Sequence, residues 1–245
     1  MTRKKETRTR SALRLALALA LTLILTTLTQ QGASQIVGAA EPNAVDCPNL
    51  LRSYWKFDEL AGPIYEDSVG TNDATCNLPN FTCPTPSIED PADPSIDGAQ
   101  AFQRSTTLNN ATRVNVPPDD LFDWAPGDSF TIEFWMRTPA SSTCQGNQVI
   151  LGRDAPTAES DLHWWTGCEA GGTGIFVLTD TDGVGHFVTD GRDEPVDLTD
   201  GNWHHIVAMR LGPAGNIRLY VDGIQAGGVP ANDYTGDFGS ATASL

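Results

Sequence analysis

Asp200-Gly-Asn-Trp-His-His-Ile-Val-Ala-Met-Arg210, then Leu-Gly-Pro-Ala-Gly215, then Asn-Ile-Arg-Leu-Tyr-Val-Asp-Gly223 reads as one β-hairpin. Trp203, His205, Val207 and Met209 alternate with His204, Ile206, Ala208 and Arg210. On the second arm Ile217, Leu219 and Val221 alternate with Arg218, Tyr220 and Asp222. A period of two sends successive side chains to opposite faces of a sheet. Gly212, Pro213 and Gly215 supply the turn between the arms. Asp222-Gly223 opens a second tight reversal, because glycine takes positive φ without steric cost.

Working outward, Phe130 to Arg137 is the clearest strand upstream. Phe130, Ile132, Phe134 and Met136 form its apolar face, and Thr131, Glu133, Trp135 and Arg137 a mixed one. Further strands are expected at 51–58, 99–102, 113–116, 147–152, 161–167, 174–179 and 184–189. Residues 59–99, rich in Pro, Asp, Asn, Thr and Gly, read as long loops. No stretch after residue 40 keeps helical periodicity over three turns. Many short strands between regular turn signals indicate an antiparallel sandwich or barrel.

The first 40 residues have the order of a secretory signal peptide. Arg3, Lys4, Lys5, Arg8, Arg10 and Arg14 precede the uncharged run Leu15 to Leu28, and small residues follow at 32–34 and 38–40. A membrane span needs about 20 apolar residues, so no stable insertion is expected after processing; an uncleaved signal anchor is the alternative. Residues 41–50 then read as a linker and 51–245 as one domain. Beyond residue 34 the chain carries 9 basic and 30 acidic groups, a formal charge of −21. That excludes nucleic acid as a partner, since a phosphate backbone requires a basic surface.

Export makes disulfides the default for the five cysteines. Cys144 follows the 129–137 strand and Cys168 ends the 161–167 strand, so these two are expected to pair. Cys76 and Cys83 form the second expected pair, leaving Cys47 over.

Four segments taken in order resemble the laminin G-like jelly rolls of the concanavalin A-like superfamily: Tyr54-Trp-Lys-Phe-Asp-Glu59, Asp67-Ser-Val-Gly-Thr-Asn72, Ser129-Phe-Thr-Ile-Glu-Phe-Trp-Met136 and the 200–223 hairpin. The resemblance covers about residues 51–245. It implies two packed antiparallel sheets, and mostly binding rather than catalysis. It also implies a closing strand beyond Leu245, so the domain is expected to be C-terminally incomplete in this chain.

Candidate sites follow from residue type. Asp67, Asn72 and Asp73 surround Gly70 in an oxygen-rich loop. Calcium requires several such oxygens, although an Asx-rich turn reads the same way. Asp180-Thr-Asp182-Gly183 is a second such stretch, explained more simply as a hairpin turn. Trp164 and Trp165 are adjacent on one strand, so one indole faces the core and the other a rim or outer face. Aromatic faces stack on sugar rings, which makes one of that pair, and Trp135, candidates for glycan contact. Trp55 and Trp203 read as core. The four histidines read as packing or hydrogen-bonding residues; His204 and His205 point to opposite faces and cannot hold one metal together. Asn80-Phe-Thr82 and Asn110-Ala-Thr112 match glycosylation sequons.

A retaining glucanase needs two carboxylates about 5–5.5 Å apart. The nearest match, Glu159-Ser-Asp161, lacks the third carboxylate of the usual pattern, and no Gly-x-Ser-x-Gly occurs. The expectation is therefore an exported, non-catalytic binding or adhesion module, secreted or at the cell surface, taking glycan or another extracellular polymer. A structural spacer is the alternative, and a glycoside hydrolase the third reading.

Overall fold

The computed structural model describes residues 50–226 apart from 88–97, 105–110, 123, 126, 147, 155–162, 180–184 and 213–215. The chain divides into two units, Met1–Leu50 and Leu51–Leu245. The described strands all lie in the second unit and are numbered in chain order. Four short ones come first: β1 (Ile64–Tyr65), β2 (Ala74–Thr75), β3 (Thr85–Pro86) and β4 (Gln100–Ala101). The body of the domain is β5 (Phe130–Arg137), β6 (Gln148–Asp154), β7 (His163–Cys168), β8 (Gly174–Thr179), β9 (Gly185–Thr189), β10 (Trp203–Leu211), β11 (Asn216–Val221) and β12 (Ile224–Gln225). No described helix is long and apolar enough to cross a membrane.

The decisive hairpin forms as its alternation demands. β10 pairs antiparallel with β11, Ile206 opposite Val221 and Met209 opposite Arg218. On its other side β10 pairs with β5, Trp203 opposite Arg137 and His205 opposite Trp135. The sheet order is β12-β11-β10-β5. The reversal into β12 is a two-residue loop, with φ of 54° at Asp222 and 75° at Gly223. Two positive φ values in succession match the twist of the flanking strands, which explains glycine at the second position. A second sheet runs β6-β7-β8-β9, antiparallel throughout.

The sheets pack through β11 against β8 and β9. Phe176, Leu178, Val188, Ile206, Leu219 and Val221 are all at most 2% exposed and form the centre of one core. Burying such a side chain contributes about 1.5–3 kcal/mol relative to leaving it in water. Leu121, Phe122 and Trp124 pack on this core from the segment before β5. Trp124 stacks on Phe130 with ring centroids 3.7 Å apart. Two buried guanidiniums brace this segment from opposite sheets. Arg153 of β6 donates to Phe122 O, while Arg210 of β10 donates to Ala125 O and Asp128 O. The architecture is thus the all-β, two-sheet sandwich of a jelly roll.

Four expectations are corrected. Residues 113–116 form no strand; Asn115 makes only an isolated bridge to Thr75. Leu51–Asp58 is not a strand: only Trp55 makes a bridge, to Asp67. Phe57 takes φ of 57°, which breaks extension, and its ring packs 5.4 Å from Tyr65 and 6.1 Å from Phe102. The 59–99 region is not loop alone, since it holds β1, β2 and β3. Trp203 is not core. It is half-buried on the outward face of β10, whereas His204, Ile206, Ala208 and Arg210 face inward.

Candidate functional site

The outward face of the hairpin sheet carries an ordered aromatic cluster. Period two places Glu133 and Trp135 of β5 on this face, with Trp203 and His205 of β10. Cross-strand pairing puts His205 directly opposite Trp135. Their rings stack with centroids 4.7 Å apart and planes inclined by 28°. His205 Nε2 lies 2.9 Å from Glu133 Oε1, which fixes the far edge of the imidazole. Trp135 nevertheless remains 41% exposed. At the end of the same face Arg137 Nε donates to Gly201 O at 2.6 Å, anchoring the turn that leads into Trp203. A flat aromatic surface, a carboxylate and an imidazole therefore stand together on rigid strands, open to solvent.

Directly beneath, His204 is only 4% exposed. Its Nδ1 lies 2.9 Å from Asp222 Oδ2 and its Nε2 3.1 Å from Asp200 Oδ1. Burial pulls the His204 pKa down, but hydrogen bonds and charge from Asp222 and Asp200 outweigh it and hold the pKa above the ordinary 6.5. Asp200 is held below the usual carboxylate range, first by the Asn202 N–H, against a smaller effect of burial.

The tryptophan pair of β7 is placed differently from Trp135. Trp164 lies in the core at 3% exposure, and Trp165, on the opposite face, is 8% exposed. β7 is an inner strand, and Trp165 sits opposite Gly152 and Val177. A Cβ at Gly152 would come 2.7 Å from Trp165 Cβ, so the glycine admits the indole base close to the neighbouring strand. Neither indole presents an open face, and of the three tryptophans proposed for ligand contact only Trp135 does.

Asp67, Asn72 and Asp73 are brought together, but as a hydrogen-bonded turn. Asp67 Oδ1 accepts the N–H groups of Tyr54, Val69 and Gly70 at 2.9–3.1 Å, and Oδ2 accepts that of Asn72 at 3.3 Å. Asp73 Oδ1 accepts the Asp67 N–H at 2.9 Å. Burial raises the Asp67 pKa, yet these donors prevail and hold it below its ordinary value. The Asp67 carboxylate thus holds the turn together through four backbone donors of its own loop and of Tyr54. Among the described residues no group of three or more His, Cys, Asp or Glu is placed to hold a metal ion. Asp180, Asp182, Glu159 and Asp161 lie outside the described residues.

Cys144 is joined to Cys168, Cα atoms 5.9 Å apart, and Cys76 to Cys83, 5.0 Å apart. Cys47 and Asn110 lie outside the described residues; Asn80 is exposed at the tip of the Cys76–Cys83 loop.

Sequence reasoning singled out Trp135 and missed His205, Glu133 and Trp203. The available signal was alternation, which puts His205 and Trp203 on one face. The pairing of β5 with β10, which brings Trp135 onto that face, crosses about 70 residues and has no local signature.

The laminin G family model described as the concanavalin A-like lectin/glucanases superfamily matches residues 108–244, more than half of the chain. Calsyntenin-3 of Danio rerio is 26% identical over 155 residues, 59% of this chain and 15% of that protein. The chain thus spans a small part of the length of the curated relative it matches. Among solved structures, the binding domain of botulinum neurotoxin serotype G is 17% identical with a TM-score of 0.50, covering 74% of this chain and 40% of that one. Mouse laminin α1 domains LG4-5 are 16% identical with a TM-score of 0.30, covering 49% and 33%. With its two antiparallel sheets, the chain belongs to the concanavalin A-like lectin/glucanases superfamily, as a laminin G-like domain.

Proposed function

We propose that this chain is an exported, non-catalytic binding module that takes a glycan of a cell surface or extracellular polymer on the outward face of β5 and β10. One observation carries the reading. Trp135 is exposed, yet its ring is held against His205, which Glu133 holds in turn. An exposed aromatic with no task usually keeps its rotamer freedom. One fixed in advance spares a ligand the cost of ordering it. The apolar face of a pyranose stacks on the indole, and the exposed Glu133 carboxylate takes its hydroxyls. Export is supported by the basic-then-apolar leader and by two disulfides.

The non-catalytic reading rests on what the site is made of. Glycoside hydrolysis uses a pair of carboxylates flanking the scissile bond. Glu133 instead stands beside an aromatic surface with its carboxylate engaged by the His205 imidazole, an arrangement suited to holding a sugar. The test is a glycan array probed with wild type and Trp135→Ala. Binding that is lost in the variant supports the reading. Hydrolysis of any bound oligosaccharide would contradict it.

A further inference from the structure

We infer that His204 is a cationic clasp that positions the His205 end of the binding face, so that the face is ordered while His204 carries two protons and loosens when it loses one. The inference rests on the proposed binding face for its meaning, though not for its test.

Proton counting sets the state of the His204 ring. Each ring nitrogen meets a carboxylate oxygen, Asp222 Oδ2 at 2.9 Å and Asp200 Oδ1 at 3.1 Å. Ionised carboxylates only accept hydrogen bonds, and a neutral imidazole has one N–H to give. One of the two contacts would then set a nitrogen lone pair against an oxygen lone pair. Both contacts are hydrogen bonds only for the imidazolium. Asp200, held ionised by the Asn202 N–H, does not supply the missing proton.

The clasp reaches the binding face through one residue. Asp222 gives its Oδ2 to the His204 ring and its Oδ1 to the His205 N–H at 2.9 Å. The Asp222 N–H donates to His205 O at 2.9 Å. The ring that stacks on Trp135 therefore hangs from a backbone unit held on both sides by Asp222. The charged groups around His204 are Asp200 and Asp222, with Arg192 acting on Asp222 from its own pair with Asp190. Its partner across β5 is Met136, which is uncharged. Because the folded-state pKa is raised, the stabilisation is fully present below about pH 6.5, the unfolded value. It is lost as pH rises through the folded value.

The test is NMR of the labelled full chain without ligand, following histidine ring nitrogens and the Trp135 indole through a pH titration. At pH 6.5 the doubly protonated His204 ring should predominate. The Trp135 signal should then shift with the His204 midpoint. In Asp200→Asn, which keeps an acceptor for the Asn202 N–H, the His204 midpoint should fall by about one pH unit or more, and the Trp135 midpoint should fall with it. A predominantly neutral His204 ring at pH 6.5 overturns the inference, as does a Trp135 midpoint that follows His205 instead. The wild-type titration decides the first point even if the variant fails to fold. Since no glycan is involved, a failure here is distinct from failure of the binding proposal.

Discussion

The rings of Trp135 and His205 lie one on the other, centroids 4.7 Å apart, on adjacent strands separated by 70 residues of chain. Such stacked pairs contribute about 0.5–1.5 kcal/mol beyond the area they bury. A double-mutant cycle of Trp135→Ala and His205→Ala, read by urea unfolding, should show a coupling in that range. Strict additivity would mean that the pair is in contact without being held.

Asp67 is expected to stabilise the fold without metal. Its carboxylate satisfies four backbone N–H groups. Leaving several such donors without a partner costs about 1–3 kcal/mol each when buried. Asp67→Ala should therefore lose about 3 kcal/mol or more, equally in chelator and in millimolar calcium. The depressed pKa sets the sign with acid. Its stabilisation is present above about pH 4, the unfolded carboxyl value, and is lost as pH falls through the folded value. A calcium-dependent rise in Tm that Asp67→Ala abolishes would contradict this.

The Cys144–Cys168 disulfide closes a loop between residues 24 apart. In the chain-entropy model such a loop is worth about 3 kcal/mol. The double substitution Cys144→Ser, Cys168→Ser should lower Tm by roughly 6–12 °C in a domain of this size. Non-reducing peptide mapping should recover the Cys144–Cys168 and Cys76–Cys83 peptides. Recovery of Cys144 joined to Cys47 would overturn the assignment.

Arg210 is wholly buried and donates to Ala125 O and Asp128 O. Arg210→Met keeps much of the side-chain volume but leaves those carbonyls without this donor. The expected loss is about 2–4 kcal/mol, with faster proteolysis between residues 120 and 128. Unchanged stability would show that Arg153 and Trp124 hold the segment without Arg210.

Much of the body of the fold was legible locally. Trp203 to Arg210 and Phe130 to Arg137 alternate cleanly, and both form strands at those places. Alternation defines two faces but does not say which one is buried. A hairpin read alone puts Trp203 inside; the fold puts His204 inside with Ile206 and Ala208, which pair with the buried Val221 and Leu219, while Asp200 and Asp222 satisfy its ring from the two turns. Similarly, Leu51–Asp58 reads as extended, whereas Phe57 turns left-handed, its ring beside Tyr65 and Phe102 and its carbonyl bonded by the Gln100 amide. Of the proposed binding face, one residue, Trp135, was legible. Its partners arrive through the pairing of β5 with β10, a long-range contact that no local pattern encodes.

The most direct test of the proposed binding face is affinity measured on this protein with the glycan that gives the strongest array signal. Wild type, Trp135→Ala and Trp165→Ala are compared at equal folded fraction. Trp135→Ala should weaken binding at least tenfold, about 1.4 kcal/mol. Trp165→Ala, which removes a buried ring, should lower Tm and leave the affinity of the folded protein unchanged. Equal affinity of wild type and Trp135→Ala, or no glycan bound at all, would contradict the assignment of this face.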